Sequence, residues 1–290
     1  MGRWEGFHRA GDYGSLRQRG LFSLENAPSG SLGLCFAHPD DESYSTYGTV
    51  ALHAHDDRFR LSVLHATDGG AGDIAPGSNA DPSALGERRR GEAADGWRAV
   101  GRVPDRHIWL GHQDGDVLAV GHEQLVEEVC AFLDAERPDV VVTFGPDGIT
   151  GHPDHLAIGR ATDKAFHLVR RRGGPGRLRL LHTAIAATPF ALHQDARSAR
   201  GLPRWDPQVV YHLRAVPDED IGVLVDTRAV ADAVVAGLKA HRTQRHALFD
   251  PEADDGEWRR YARREFHVVA WPPRTPSTRV WGDVFEGLEQ

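Results

Sequence analysis

Cysteine is nearly absent from this 290-residue chain, which carries only two. Cys35 and Cys130 lie inside apolar runs, LGLCFA and VEEVCAFL, so each reads as a small buried hydrophobe in a reducing compartment. A disulfide scaffold is excluded. The N-terminal stretch MGRWEGFHRAGDYGSL has no apolar segment of the signal-peptide kind, and no run approaches the roughly 18 apolar residues of a membrane span. A soluble, cytoplasmic protein is expected. Excess positive charge is also missing, because 34 Lys and Arg stand against 42 Asp and Glu, a formal charge of −8. That balance argues against nucleic acid or an anionic membrane as a partner and points to small-molecule work. The only lysines are Lys164 and Lys239, a skew to which we attach no function. No internal repeat is visible, and the length suits one large domain or a core with an appended subdomain.

What is present in unusual number is histidine, 17 residues, the commonest metal-ligand side chain. The chain otherwise reads as alternating elements. After about 30 polar, Gly-rich residues, a strand over Leu32 to Ala37 stops abruptly at HPDDES. Helical spacing follows over 43–55, then a strand over Phe59 to Ala66 and the Gly-rich stretch TDGGAGDIAPGSNADPS. That stretch is long for a connector and is expected to be a mobile active-site loop over 68–80. Further elements are a helix over 84–100, a strand from His107 to Leu110, an amphipathic helix over 122–136, a buried strand from Val140 to Phe144 and a helix over 154–171. From about residue 174 the pattern becomes strand-rich (Arg179 to Ala187, Val209 to Leu213, Val223 to Val225, His267 to Trp271) around one helix near 229–242. Continuous apolar strands alternating with helices predict an α/β fold, a mostly parallel sheet with helices on both faces. The strand-rich part either extends that sheet or forms a small lid. We expect a single domain over 1–290, with its core at about 31–172 and the strand-rich extension at about 174–290.

Folds of this kind place ligands at the carboxyl ends of their strands, and the two most polar motifs sit there. HPDDE at 38–42 offers one imidazole and three carboxylates, and HPDH at 152–155 offers two imidazoles flanking a carboxylate. A catalytic zinc takes about three protein ligands and keeps one position open, and two His with one carboxylate is a known set. His38, Asp41 and His155 supply it, the first two at i, i+3 in a turn that Pro39 favours. Ferrous iron is compatible with the same donors. Asp40 is left free as a general base, and His152, three residues before His155, is placed to stabilise an oxyanion or protonate a leaving amine. Asp154 is expected to orient and charge that imidazole. Either motif alone also reads as a capped turn, but two at successive sheet loops do not call for packing alone.

At these residues the chain resembles the LmbE-like or PIG-L type of zinc-dependent N-acetylglucosaminyl deacetylases, which include mycothiol and bacillithiol pathway deacetylases and mycothiol-conjugate amidases. The resemblance rests on AHPDDE at 37–42 and GHPDH at 151–155 and runs from about 31 to 172, with a weaker echo at Lys239 to Gln244. It implies a Rossmann-like fold and removal of an N-acetyl or other N-acyl group from an amino sugar or its conjugate. It also implies zinc on His38, Asp41 and His155, the base role for Asp40 and oxyanion or acid duty for His152. RRGE at 89–92 resembles a family helix whose arginine binds substrate hydroxyls, which makes Arg89 a candidate, and GHQDGD at 111–116 similarly makes Asp114 one. AHRTQ at 240–244 resembles a family motif near the site and brings in His241. Two departures stand out: Gly70 where the family often has Glu, with Asp68 or Asp73 as substitutes, and Thr150 where some thiol-pathway members have an aromatic residue. A homo-oligomer is compatible with this reading. The rival readings are a non-catalytic sugar-binding or metal-sensing protein, disfavoured by the retention of Asp40 and His152, and a metallophosphoesterase, which would commonly need a second metal.

Overall fold

The structure is a computed structural model that describes residues 30–248, 254–274 and 279–288. The stretch before Gly30, read as polar and Gly-rich, lies outside them. Among the described residues seven strands form one sheet: β1 (Ser31–Phe36), β2 (Arg60–Thr67), β3 (Arg106–His112), β4 (Val140–Phe144), β5 (Arg179–Ala184), β6 (Ile221–Asp226) and β7 (Arg264–Trp271). Their spatial order is β3-β2-β1-β4-β5-β7-β6. The β1–β2, β2–β3, β1–β4 and β4–β5 pairs are parallel, whereas β7 runs antiparallel to both β5 and β6. Every residue of β4 is buried, as are Leu32 to Phe36 of β1, which explains why these segments read as unbroken apolar runs.

The helices are α1 (Tyr47–His53), α2 (Leu85–Ala99), α3 (Val117–Val120), α4 (His122–Glu136), α5 (Gly148–Gly151), α6 (Pro153–Arg172), α7 (Ala187–Ala199), α8 (Ala231–Ala240), α9 (Arg245–Leu248) and α10 (Asp255–Tyr261). From Ser31 to Arg172 the expected strands and helices are found within a few positions of their predicted ends. Beyond Arg172, the strand-rich part extends the same sheet through β5, β7 and β6 rather than forming a lid. Two expectations are corrected there. The strand from Arg179 stops at Ala184, and Ala187 opens α7 instead. Val209 to Leu213 is a series of turns, closed by hydrogen bonds from Val209 N to the Asp206 carbonyl and from Asp206 N to His212 Nδ1. Val209 and Val210 are each 44% exposed and belong to no strand.

The topology positions the site. From β1 the chain steps outward through β2 to β3, then returns to lay β4 on the other side of β1. The loops leaving β1 and β4 therefore diverge in opposite directions, and the crevice between them lies at the carboxyl ends of both strands. Phe36 and Phe144, the last residues of those strands, meet edge to face at 5.0 Å beneath it. Gly159 lets α6 pack directly on β4, because a Cβ there would lie 2.8 Å from the Phe144 carbonyl oxygen. On the other side, α1 has no side-chain cap of its own. Its first N–H groups, from Gly48 and Thr49, donate to the buried carboxyl of Glu265 on β7 at 2.5 and 2.9 Å. The extension thus anchors the helix that follows HPDDE.

Candidate metal centre and active site

HPDDE forms a tight turn just past β1. The His38 N–H donates to Asp41 Oδ2 at 2.7 Å, and Ser43 N–H and Oγ–H both donate to the Asp40 carbonyl, at 2.8 and 2.5 Å. Within this turn Asp40 takes a backbone φ of +127°, a strained value for a residue with a Cβ. HPDH opens α6: His152 is its N-cap, accepting the Asp154 N–H on Nδ1 at 3.1 Å, and Pro153 occupies the first helical turn, where its missing N–H costs nothing. His155 falls one turn in and stacks flat on Phe144, with ring centroids 4.0 Å apart and planes 5° from parallel.

The two motifs are far apart in the chain, yet they bring His38 Nδ1, Asp41 and His155 Nε2 together. His155 Nε2 lies 3.3 Å from His38 Nδ1 and 3.2 Å from Asp41 Oδ1, and His38 Nδ1 lies 3.4 Å from Asp41 Oδ2. Around a tetrahedral ion with bonds near 2.0–2.1 Å, neighbouring ligand atoms lie about 3.3 Å apart, so the spacing fits a single metal. The outward nitrogens are already committed. His155 Nδ1–H donates to the Gly148 carbonyl at 2.9 Å. His38 Nε2–H faces Asp114 Oδ1 at 3.0 Å and Asp154 Oδ2 at 3.3 Å. Each ring is thereby held in the tautomer that leaves a lone pair facing inward. A second trio, His38, His152 and Asp154, is also close enough to ligate. It fits less well, because the Asp154 oxygens accept the N–H groups of Gly115 and Val117, at 2.8 and 3.1 Å, and His152 Nδ1 is occupied.

The electrostatics favour a cation. Asp40, Asp41, Asp114 and Asp154 crowd the site, offset by the Arg89 guanidinium 3.2 Å from Asp40 Oδ1. Burial works against a charged His38, but the Asp41, Asp114 and Asp154 carboxylates outweigh it and raise the imidazole well above its ordinary pKa. Burial likewise opposes an ionised Asp41, yet His155 and His38 hold it well below the usual carboxylate range. Burial pushes Asp40 up to about 7, with Arg89 opposing the shift and Asp41 adding to it. Burial, with His38 and His155 close by, pulls His152 down to about 4.

The comparisons with known proteins converge on these same segments. Residues 34–166 match the PIG-L family, described as GlcNAc-PI de-N-acetylase. The 1D-myo-inositol 2-acetamido-2-deoxy-alpha-D-glucopyranoside deacetylase of Saccharomonospora viridis is 33% identical over 278 residues, covering 87% of this chain and 98% of that one. Its counterpart numbered 2 in Saccharopolyspora erythraea is 31% identical over 294 residues, covering 88% of this chain and all of the relative. This chain belongs to the PIG-L family. Among solved structures, the conserved protein TT1542 of Thermus thermophilus superposes with a TM-score of 0.55 at 26% identity, over 86% of this chain and 98% of that one. The chain is accordingly a metal-dependent hydrolase of the N-deacetylase kind.

Within that PIG-L framework, several expected roles are corrected. Asp154 does not pair with His152 through its carboxylate. Helix entry aims that carboxylate at His38 and at the 115–117 turn, and only its backbone N–H reaches the His152 ring. His152 is therefore a neutral imidazole with its proton on Nε2, not an imidazolium. Asp114 turns inward to His38, and its Oδ2 accepts the Ala71 N–H at 2.8 Å. Arg89 is 4% exposed and donates to the Gly69 and Pro39 carbonyls, at 2.8 and 2.9 Å, beside Asp40. His241 has no exposed surface, so no substrate reaches it, and its Nε2 meets the Tyr47 hydroxyl at 3.1 Å.

The loop at 68–80 is tied down more than its glycines suggested. Besides the Ala71 and Gly69 contacts, the Ala75 N–H donates to the Thr243 carbonyl at 2.8 Å, and Gln244 Nε2 donates to the Asp73 carbonyl at 3.1 Å. Gly69, at φ +70°, is required, since a Cβ there would lie 2.2 Å from Arg89 Nη1. Asp68 does not replace the missing loop carboxylate at Gly70, because it faces Arg90 and the Gly70 N–H.

Sequence reasoning missed four residues. Tyr44 donates its hydroxyl to Asp41 Oδ1 at 3.0 Å. Glu42, fully buried, accepts the Asp40 N–H at 3.1 Å and meets His65 Nε2 at 3.0 Å. Both sit in or beside HPDDE, where the i, i+3 spacing of Tyr44 from Asp41 was a readable signal. Tyr211 stands edge to face with His152 at 5.2 Å, and Arg214 reaches the Asp147 carbonyl at 3.2 Å. Those two lie well downstream, past α7, with no local signal, Tyr211 inside and Arg214 just after the segment read as a strand.

Proposed function

We propose that this chain removes an N-acetyl group from an amino sugar or amino-sugar conjugate using one zinc ion held by His38, Asp41 and His155, within a single domain built on the continuous sheet. The observation that carries the reading is the convergence of three ligand atoms, from His38, Asp41 and His155, within 4.8 Å of one another, with the Asp40 carboxylate close enough to feel the charges of His38 and Asp41. A bound divalent ion would supply Lewis-acid polarisation of the scissile carbonyl and lower the pKa of a water. Asp40 takes the proton from the attacking water and returns it to the amine nitrogen as the C–N bond breaks, so that the amine and acetate leave. Arg89 and Glu42 fix its position, Arg89 from the side chain and Glu42 through the backbone N–H. His152, neutral and carrying its proton on Nε2, donates to the oxygen that gains charge as the carbonyl carbon becomes tetrahedral. Asp114 and Asp154 hold His38, and Tyr44 holds Asp41, so none of them need touch the substrate. The relatives' substrate makes a glucosaminide of an inositol the first candidate, and a larger acyl group, as in an amidase, the second.

The test is Asp40→Asn. It should keep one metal per chain by elemental analysis while acetate release from N-acetylglucosaminides falls by about two to four orders of magnitude. In the parent protein, kcat/KM should fall as the pH drops, because protonation of Asp40 removes the base. Burial pushes the metal-free carboxyl up to about 7, and a bound cation would move that limb to lower pH. A variant with the parental rate would remove Asp40 from the mechanism.

A further inference from the structure

The segment between α7 and β6 crosses from the end of the sheet to the mouth of the site. It is pinned to the very loop that carries His152. The Tyr211 N–H donates to the Thr150 carbonyl at 2.9 Å, and the Arg214 N–H donates to the Ile149 carbonyl at 2.7 Å. At its tip Tyr211 holds a φ of +71°, a costly conformation for a bulky aromatic residue. The residue is 65% exposed, so hydrophobic burial does not offset that cost. Its ring meets the His152 imidazole, edge to face at 5.2 Å and 80°. Val209 and Val210, each 44% exposed, extend an apolar surface beside it. A strained backbone that holds an exposed aromatic ring against the oxyanion donor is arranged for something that arrives from solution.

We propose that Tyr211 is the platform on which the sugar ring of the substrate lies, and hence a specificity-determining residue of this site. The inference rests on the amino-sugar deacetylase reading above. A pyranose presents an apolar C–H face and a polar rim. Packing that face on an exposed aromatic beside His152 orients the ring while its equatorial amide points at the metal centre. Asp40, Asp41, His38 and His155 are all buried, so the half-buried His152 and the exposed Tyr211 form the side from which a ring would approach.

The experiment measures N-acetylglucosamine binding by calorimetry on the metal-loaded Asp40→Asn protein, with and without a second change at Tyr211, alongside melting temperature and metal content. Tyr211→Asn is the informative variant, because Asn tolerates positive φ. We expect its sugar Kd to rise about ten-fold, the scale of one lost ring contact, while the melting temperature holds or rises and metal content stays the same. Tyr211→Trp should bind within a few-fold of the parent. With Asp40 intact, Tyr211→Asn should raise KM for N-acetylglucosamine and leave kcat within a factor of about two.

An unchanged Kd overturns the proposal, as does a loss of binding that follows a fall in melting temperature or metal content, since that would make Tyr211 a brace for the His152 loop. A parent that binds no sugar overturns it too. Failure of the deacetylase reading looks different: no acetate is released from any N-acetyl amide by the protein with Asp40 intact, whatever the binding comparison shows.

Discussion

Asp114→Asn probes the carboxylates behind the proposed metal ligands, and its effect can be worked out in both size and pH dependence. Asp114 Oδ1 lies 3.0 Å from His38 Nε2, with its side chain 9% exposed. Asn keeps the shape but removes the charge that makes the imidazole a stronger donor from Nδ1. Loss of such an outer carboxylate lowers metal affinity by about 10- to 100-fold, or about 1.4 to 2.8 kcal/mol. The same carboxylate also helps to raise the pKa of His38 in the metal-free protein, so in acid the metal must displace a more tightly held proton. Below the His38 pKa, affinity therefore falls about ten-fold per pH unit from this residue alone. In Asp114→Asn that pKa is lower, so the acid decline begins at lower pH.

The two curves of metal affinity against pH should differ most in mild alkali and converge as the pH falls. Asp154 still faces His38 at 3.3 Å, so the variant should retain a detectable site. Competition against a chromophoric chelator between pH 5.5 and 8.5 measures this directly. Equal affinity at pH 8.5, or two parallel curves, would refute the role assigned to Asp114. A full loss of metal with an unchanged melting temperature would instead make Asp114 itself a ligand.

Other consequences follow from the same contacts. His152→Ala removes both the proposed oxyanion donor and the N-cap of α6, so kcat should fall about 10²- to 10³-fold, with about 1 kcal/mol lost from stability. His152→Asn restores the cap but not the donor in the same place. Melting temperature should recover while turnover does not, and recovery of both would reduce His152 to a cap. Glu265→Ala leaves the Gly48 and Thr49 N–H groups at the start of α1 without their acceptor, which should cost about 2 to 4 kcal/mol in denaturant unfolding. If the unfolding midpoint does not move, the link from β7 to α1 carries no stability.

Much of the centre was legible in the sequence because its residues are local to two short motifs. HPDDE and HPDH each gather their donors into a single turn at the end of an unbroken apolar strand. Strand ends, candidate ligands and the free Asp40 therefore follow from residue types and spacing. The first five strands, including the one beginning at Arg179, were readable as well, most clearly β1 and β4, where burial replaces periodicity with continuous hydrophobicity. Val209 to Leu213 shows the limit of that signal: β-branched residues look alike whether they pair with a neighbouring strand or ride over a loop, and only the position of the sheet edge distinguishes the two.

Composition and local order could not decide which partner each polar side chain finds. Asp154 is separated from His152 by Pro153 alone, yet the first turn of α6 swings its carboxylate toward His38 and the 115–117 turn. Arg89 and Asp114 were readable as polar residues on a helix and a loop, but packing buries the one against Asp40 and turns the other onto His38. His241 was placed near the site by its motif, and burial alone removes it from contact. The sequence by itself determined the candidate ligands, the candidate base and the parallel core, because those depend on covalent spacing and burial pattern. The tertiary structure alone decided the tautomers, the charge on His152, the bracing carboxylates and the arrival of Tyr211 at the mouth. Those depend on contacts between segments that the chain order leaves far apart.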